Sequence, residues 1–318
     1  MSDPVRKLLY LLLFLGLAYL GVTYYLSGLI LQTPHRPLES SKQISLDRWG
    51  FDVDSALQTL PPYRAFLLED ANGDSLLLRG WTIDQPGGST DCAVVFAHGY
   101  GGTRADMVKY TRPFHRCGCD LYLYDHRGHA ESGEAYAGGG YLEARDMAKV
   151  VRYAARRSGL PIGRVGLFGE SWGAATALLT PQFISPRDTS LRPAWIIAES
   201  PFTDWRTAVM ERGVKQYGDA LKFFAPGVFT WVGRRNGMNF DDASPLKAVR
   251  EHRIPTLLFH SQQDTFTNPE QSRLIYEADP EDITYHPLDW GAWHAHNVIW
   301  RREEYEGLIE DFLGNFCE

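Results

Sequence analysis

The sequence predicts an α/β fold, a mostly parallel sheet with helices on both faces, preceded by one membrane-spanning helix. Three observations predict it. From residue 92 onward, short apolar runs alternate with longer stretches of helical periodicity. A hairpin signal, Asn72-Gly73-Asp74, separates the first two extended segments. Ahead of both, residues 8–31 carry no charged side chain. Alternation implies parallel strands because each crossover must return the chain across the sheet, and a helix does so while covering a face.

The elements are taken in chain order. As a helix, 8–31 spans roughly 36 Å at about 1.5 Å per residue, enough to cross a hydrocarbon core. Arg6 and Lys7 precede it, as the positive-inside rule asks of a cytoplasmic N-terminus, and Arg36 and Lys42 come after it, so the asymmetry is modest. Tyr10, Tyr24 and Tyr25 suit the two interfaces. The stretch is apolar on every face, which fits lipid better than a protein core. A cleaved secretory signal is the rival reading, but no small-x-small cleavage site stands among residues 26–34. An anchor over 1–32 and an exported domain over 33–318 are therefore expected.

A linker carrying Pro34, Pro37, Pro61 and Pro62 comes next. Segments 63–69 and 75–83 flank the Asn-Gly turn, which supplies the positive φ angles of a tight reversal. Further strands are expected at 92–97, 121–124, 164–168, 195–198, 256–260 and 283–286, and helices at 104–116, 141–158 and 172–184. In 141–158, Met147, Val150, Val151 and Ala154 recur at helical spacing. Between 201 and 253 the alternation lapses into an aromatic-rich stretch. Trp205, Val209, Tyr217, Leu221 and Phe224 fit one amphipathic helix there, read as a cap inserted over the strand ends.

Composition narrows the function classes. Lys and Arg number 32 against 39 Asp and Glu, a net charge of −7 that repels polyanions, and no basic run appears. Nucleic acid is not an expected partner. Four cysteines are too few for a disulfide scaffold, and Cys117-x-Cys119 lacks the second pair of a structural zinc site. No metal or cofactor is expected.

Gly169-Glu170-Ser171-Trp172-Gly173 matches G-x-S-x-G, directly after a predicted strand and before Ala174, Ala175 and Ala177. A strand-to-helix turn sharp enough to expose Ser171 strains the backbone, and flanking glycines avoid clashes. The bland alternative is a tight turn with a capping Ser. The helix starting at Trp172 aims N–H groups and a positive dipole end at the same spot. His98-Gly99-Tyr100-Gly101-Gly102 also stands directly after its strand, and a glycine-rich loop turns N–H groups inward. The backbone N–H groups of Trp172 and Tyr100 are the candidate oxyanion donors. Neither G-x-x-x-x-G-K-[ST] nor G-x-G-x-x-G occurs here, which argues against a phosphate loop.

These motifs, with 125–133 (Asp125-His126-Arg127-Gly128-His129-Ala130-Glu131-Ser132-Gly133) and 260–264, occur in the order found in alpha/beta-hydrolase-fold serine hydrolases. The resemblance covers roughly residues 60–316 and is nearest to membrane-anchored hydrolase-domain proteins and bacterial relatives acting as esterases, lipases or peptidases. Ala130 stands where the family has its second glycine. The family's order of nucleophile, acid and histidine implies Ser171, Asp264 and His294. Asp289 is the alternative acid and His296 the alternative base, with Gly291 favouring His294. The resemblance also implies that the strands beginning at Cys92 and Cys119 run parallel and adjacent, so Cys92 can pair with Cys119, or with Cys117. Its implied activity is hydrolysis of an acyl ester, thioester or amide through an acyl-enzyme on Ser171. An acyltransferase with the same residues, or a non-catalytic binding protein on the same fold, are the alternatives. The implied partners are a small-molecule or lipid acyl substrate and the membrane.

Overall fold

A computed structural model describes residues 3–69, 76–184, 191–314 and 316; the Asn72-Gly73-Asp74 turn lies outside the described residues. Eight strands among them form one sheet: β1 (Arg64–Leu68), β2 (Leu78–Ile83), β3 (Cys92–Ala97), β4 (Cys119–Tyr124), β5 (Val165–Glu170), β6 (Ile196–Glu199), β7 (Thr256–Ser261) and β8 (Ile283–Leu288). Their spatial order is β1-β2-β4-β3-β5-β6-β7-β8. β1 and β2 pair antiparallel, as expected of a hairpin, and β2 is antiparallel to β4. From β4 across to β8 every pairing is parallel. The sheet reads as continuous apolar runs because helices cover both faces: β3, β4, β5, β6 and β7 are buried at every position.

The helices, in chain order, are α1 (Asp3–Leu31), α2 (Leu38–Trp49), α3 (Val53–Gln58), α4 (Thr111–Arg116), α5 (Tyr141–Ser158), α6 (Trp172–Leu179), α7 (Pro181–Ile184), α8 (Trp205–Tyr217), α9 (Leu221–Asn236), α10 (Pro245–His252), α11 (Glu270–Ala278), α12 (Asn297–Trp300) and α13 (Arg302–Leu313). On one face, Met147, Val150 and Val151 of α5 pack with Val95 and Leu167. On the other, Ile309 and Leu313 of α13 pack with Val94, Phe96 and Phe168.

The structure corrects four expectations. The proline-bearing linker contains α2 and α3, bounded by Pro37, by Gly50 in the left-handed region, and by an Asp52 side chain that accepts from the Ser55 N–H. Residues 104–110 are 3₁₀ before α4 begins. The helix expected at 172–184 is split at Thr180 by Pro181, which has no N–H to continue it. The single cap helix is two, α8 and α9, broken at Gly218 with φ 80° and ψ 177°.

The chain runs from β3 outward to β4, then returns to place β5 on β3's other side, so the loops after β3 and β5 diverge. That reversal opens a crevice at the carboxyl ends of these strands. At the opposite end, the register sets Cys92 beside Cys119, and a disulfide joins them. α1 is long and apolar enough to cross a membrane and most of it is exposed, which excludes a core helix. Only its last turns, with Thr23, Ser27 and Leu31 buried, pack on α9.

Candidate active site

Ser171 sits at the crevice, on the turn between β5 and α6. Its backbone is in the strained elbow geometry, φ 54° and ψ −114°. The two flanking glycines are sterically required. A Cβ at Gly173 would run into the Ala97 carbonyl, and one at Gly169 into the backbone of Gly173 and Ala174. The Ser171 N–H donates to Glu199 O at 2.7 Å, tying the turn to the end of β6.

Asp264 comes just after β7 and is buried. One of its oxygens, Oδ1, accepts the backbone N–H groups of Phe266 (2.8 Å) and Thr267 (3.0 Å). The other, Oδ2, accepts from two histidines, His294 Nδ1 at 2.6 Å and His260 Nε2 at 3.0 Å. Burial alone would push this carboxyl up. The hydrogen bonds and charges of His260 and His294 outweigh it and hold Asp264 well below the usual carboxylate range. With Nδ1 protonated toward Asp264, His294 presents a lone pair on Nε2, which is buried and has no partner among the described residues. No hydrogen bond joins it to Ser171 Oγ in this structure. Phe266 brings the two halves together, since its ring lies 4.7 Å from that of His294 and also lines the cavity containing Ser171.

The other candidates are elsewhere. Asp289 bonds Gln263 and lies outside this cluster. His296 makes no bond to Asp264 among the described residues: its Nδ1 bonds the His294 carbonyl, its ring lies 3.5 Å from Trp49, and burial, then the Lys109 charge, lowers its pKa to about 4.

Trp172 is the next residue after Ser171, and Gly99, just before Tyr100, stands so near that a Cβ on it would lie 3.5 Å from the Ser171 Cβ; the N–H groups of Tyr100 and Trp172 have no acceptor among the described residues. The loop between them is built tightly. Gly102 N–H donates to Gly99 O at 2.9 Å, and Gly101 N–H to His129 Nε2 at 3.1 Å. His98, His126 and His129 form a buried cluster whose low dielectric depresses all three pKa values. Asp125 binds Arg104 in a buried ion pair and also accepts its backbone N–H at 2.7 Å; burial raises its pKa to about 6. Ala130 has φ 43°, a positive angle that glycine would adopt without strain.

A layer of buried polar groups around Ser171 went unseen in the sequence. Glu170 receives Lys109 Nζ (2.7 Å) and Tyr110 Oη (3.0 Å). Burial opposes its ionisation, yet Lys109 holds it below the ordinary Glu value. Glu199 receives Tyr305 Oη (2.8 Å) and Asn297 Nδ2 (2.6 Å), but no cation among the described residues pairs with it, and burial raises its pKa to about 7. His260 belongs with these, because its bond to Asp264 had no signal in the sequence.

Ser171, Tyr100 and Trp172 open on a cavity of about 250 Å³ walled mostly by apolar side chains of α8, α9 and α1. Arg212, Glu211 and Gln271 are polar groups on its lining, and the Arg212 guanidinium lies 4.3 Å from the Phe266 ring.

The sheet order, the elbow and the crevice together define an α/β-hydrolase. Residues 88–250 match the family described as serine aminopeptidase, S33, and the chain belongs to that family of serine hydrolases. It is 25% identical over 266 residues to the Bacillus subtilis protein YqkD, covering 84% of each. It is also 25% identical over 291 residues to the Xenopus tropicalis protein named lysophosphatidylserine lipase ABHD12, covering 87% of this chain and 68% of that one. Among solved structures, the Pyrococcus furiosus esterase Pf2001 superposes with a TM-score of 0.65 at 19% identity, covering 91% of this chain and all of that one, a likeness of fold.

Proposed function

We propose that the protein hydrolyses an acyl ester, thioester or amide through a covalent acyl-enzyme on Ser171. The observation that carries this reading is the Asp264–His294 hydrogen bond at 2.6 Å, which leaves a buried Nε2 with no partner among the described residues. Ser171 Oγ attacks the acyl carbonyl as its proton passes to His294 Nε2, and Asp264 holds the resulting imidazolium. The N–H groups of Tyr100 and Trp172 receive the oxyanion. Collapse expels the leaving group, which takes the proton from His294. Water then repeats the sequence to release the acid. The Oγ–Nε2 hydrogen bond has to form as substrate fills the cavity, since such bonds are commonly long without it. The apolar cavity suits an acyl chain, and the names of the lipase and esterase relatives agree with an ester substrate.

In this reading α1 is a membrane anchor, and residues 201–253 form a cap over the site. The Cys92–Cys119 disulfide favours an oxidising, exported side, as do Arg6 and Lys7 before the helix. A fluorophosphonate probe should label the full-length chain and fail on Ser171→Ala with unchanged circular dichroism. Labelling that survives that substitution sinks the central assignment. Protection of the domain from protease added to intact spheroplasts would remove the exported placement.

A further inference from the structure

α1 does more than precede the domain. Its last turns lie against α9: the Tyr19 ring stacks on Phe224 at 5.7 Å, Tyr24 meets Trp231 edge-on at 5.3 Å, and Arg235 Nη1 donates to Ser27 Oγ at 2.9 Å. Gly227 permits the close approach, since a Cβ there would come within 2.7 Å of the Thr23 methyl. The chain leaving α1 is fastened to the candidate oxyanion loop, with Tyr100 Oη donating to Gln32 O at 2.7 Å, and to the segment ahead of α5, with Ala137 N–H donating to Leu31 O at 3.0 Å. The helix is therefore fixed in position over the site. Within that arrangement Leu26, Leu29 and Ile30 line the same cavity as Ser171.

From this placement we infer that the apolar N-terminal helix supplies a wall of the acyl-binding cavity, and that Leu26, Leu29 and Ile30 set the acyl-chain length accepted. The inference rests on the hydrolase reading. The physical reason is continuity. The helix that is long enough to enter a bilayer ends with three aliphatic side chains in the cavity containing Ser171, so an acyl chain bound there lies along α1. In a packed apolar site, one methylene too many or too few changes discrimination by about tenfold or more.

The test uses the full-length chain in detergent micelles and p-nitrophenyl esters from butyrate to palmitate. Ile30→Trp and Leu26→Trp should lower the ratio of kcat/KM for palmitate to that for butyrate by about tenfold or more. Leu29→Ala, which adds space and does not depend on fitting an indole, should shift the preferred chain length upward. Leu13→Trp, on the exposed length of α1, should leave the profile where it was. Fluorophosphonates with short and long alkyl chains give a second readout, as relative labelling rates of Ser171. A chain-length profile that stays the same in all three cavity variants, while labelling and turnover persist, overturns this inference and leaves the hydrolase reading standing. An unmodified chain that neither labels nor turns over any ester removes both.

Discussion

Replacing Asp264 with Asn tests the candidate triad through hydrogen-bond directions alone, because size and shape barely change. The native carboxylate accepts four hydrogen bonds, two from backbone N–H groups on Oδ1 and two from histidines on Oδ2. Asparagine has one oxygen and one NH₂ group. The backbone N–H groups of Phe266 and Thr267 have no other form, so they claim the oxygen. The NH₂ group is then left facing two imidazoles, which must offer it lone pairs. His294 responds by moving its proton from Nδ1 to Nε2, and Nε2 can no longer take the proton of Ser171. Loss of the correct tautomer together with the buried negative charge costs roughly 10³–10⁴ in kcat, about 4 to 5.5 kcal/mol of barrier. His260 makes the same switch and can donate instead from Nδ1 to Ser272 Oγ, now 2.6 Å away, so folding should suffer only about 1–3 kcal/mol. Initial rates on an activated ester measure the first effect, and thermal melting tracked by near-ultraviolet dichroism measures the second. A folded Asp264→Asn protein within tenfold of the native rate would refute the reasoning and return Asp289, or no carboxylate, to the role.

Two further perturbations act on buried strain. Glu199 ionises near pH 7 when folded against an ordinary value of 4.5, so its stabilising contribution is complete below about pH 4.5 and is lost as pH rises to about 7. That difference corresponds to about 3 kcal/mol. Glu199→Gln should flatten the fall in urea-unfolding stability between pH 5 and pH 8, and an unaltered pH dependence would discard the explanation. At Ala130, φ 43° costs an L-residue about 1–2 kcal/mol, whereas glycine gives back about 0.5–1 kcal/mol in chain entropy. Ala130→Gly should therefore raise the melting temperature by a degree or more, and a lower melting temperature would mean that the methyl packing outweighs the strain.

The parts legible in the sequence are those whose signal is local. Parallel strands buried on both faces read as unbroken apolar runs, and β3, β4, β5 and β7 lie within two residues of their expected ends. The pentapeptide around Ser171 is legible for the same reason, since strand, turn and helix constrain one another over a few positions. Elements without such a signal are not legible. α2 is largely polar, with only Ser41 and Ser45 buried, so the prolines before it, Pro34 and Pro37, outweigh its weak periodicity. The α8–α9 break depends on a single glycine inside a stretch whose aromatic residues keep helical spacing on both sides.

The polar layer around Ser171 is illegible for a different reason. Its pairs are far apart in sequence, with Tyr110 and Glu170 separated by 60 positions and Glu199 and Asn297 by 98. A buried Glu in a strand-end position looks the same in sequence whether or not a cation awaits it. Here the outcome splits: Glu170 meets Lys109 and stays ionised, while Glu199, on the neighbouring strand, meets only neutral donors among the described residues and is pushed towards protonation. Because Glu199 also supplies the carbonyl that accepts the Ser171 N–H, its charge state acts on the same strand end that fixes the elbow. The docking of α1 belongs to this class too. Tyr19 and Phe223 lie 204 positions apart, and nothing in an all-apolar helix says which of its faces will meet protein. The face that does carries Thr23 and Ser27, two small polar residues one turn apart whose hydroxyls return to the helix's own carbonyls. Small side chains at that spacing let another helix approach closely, and Gly227 on α9 completes the contact.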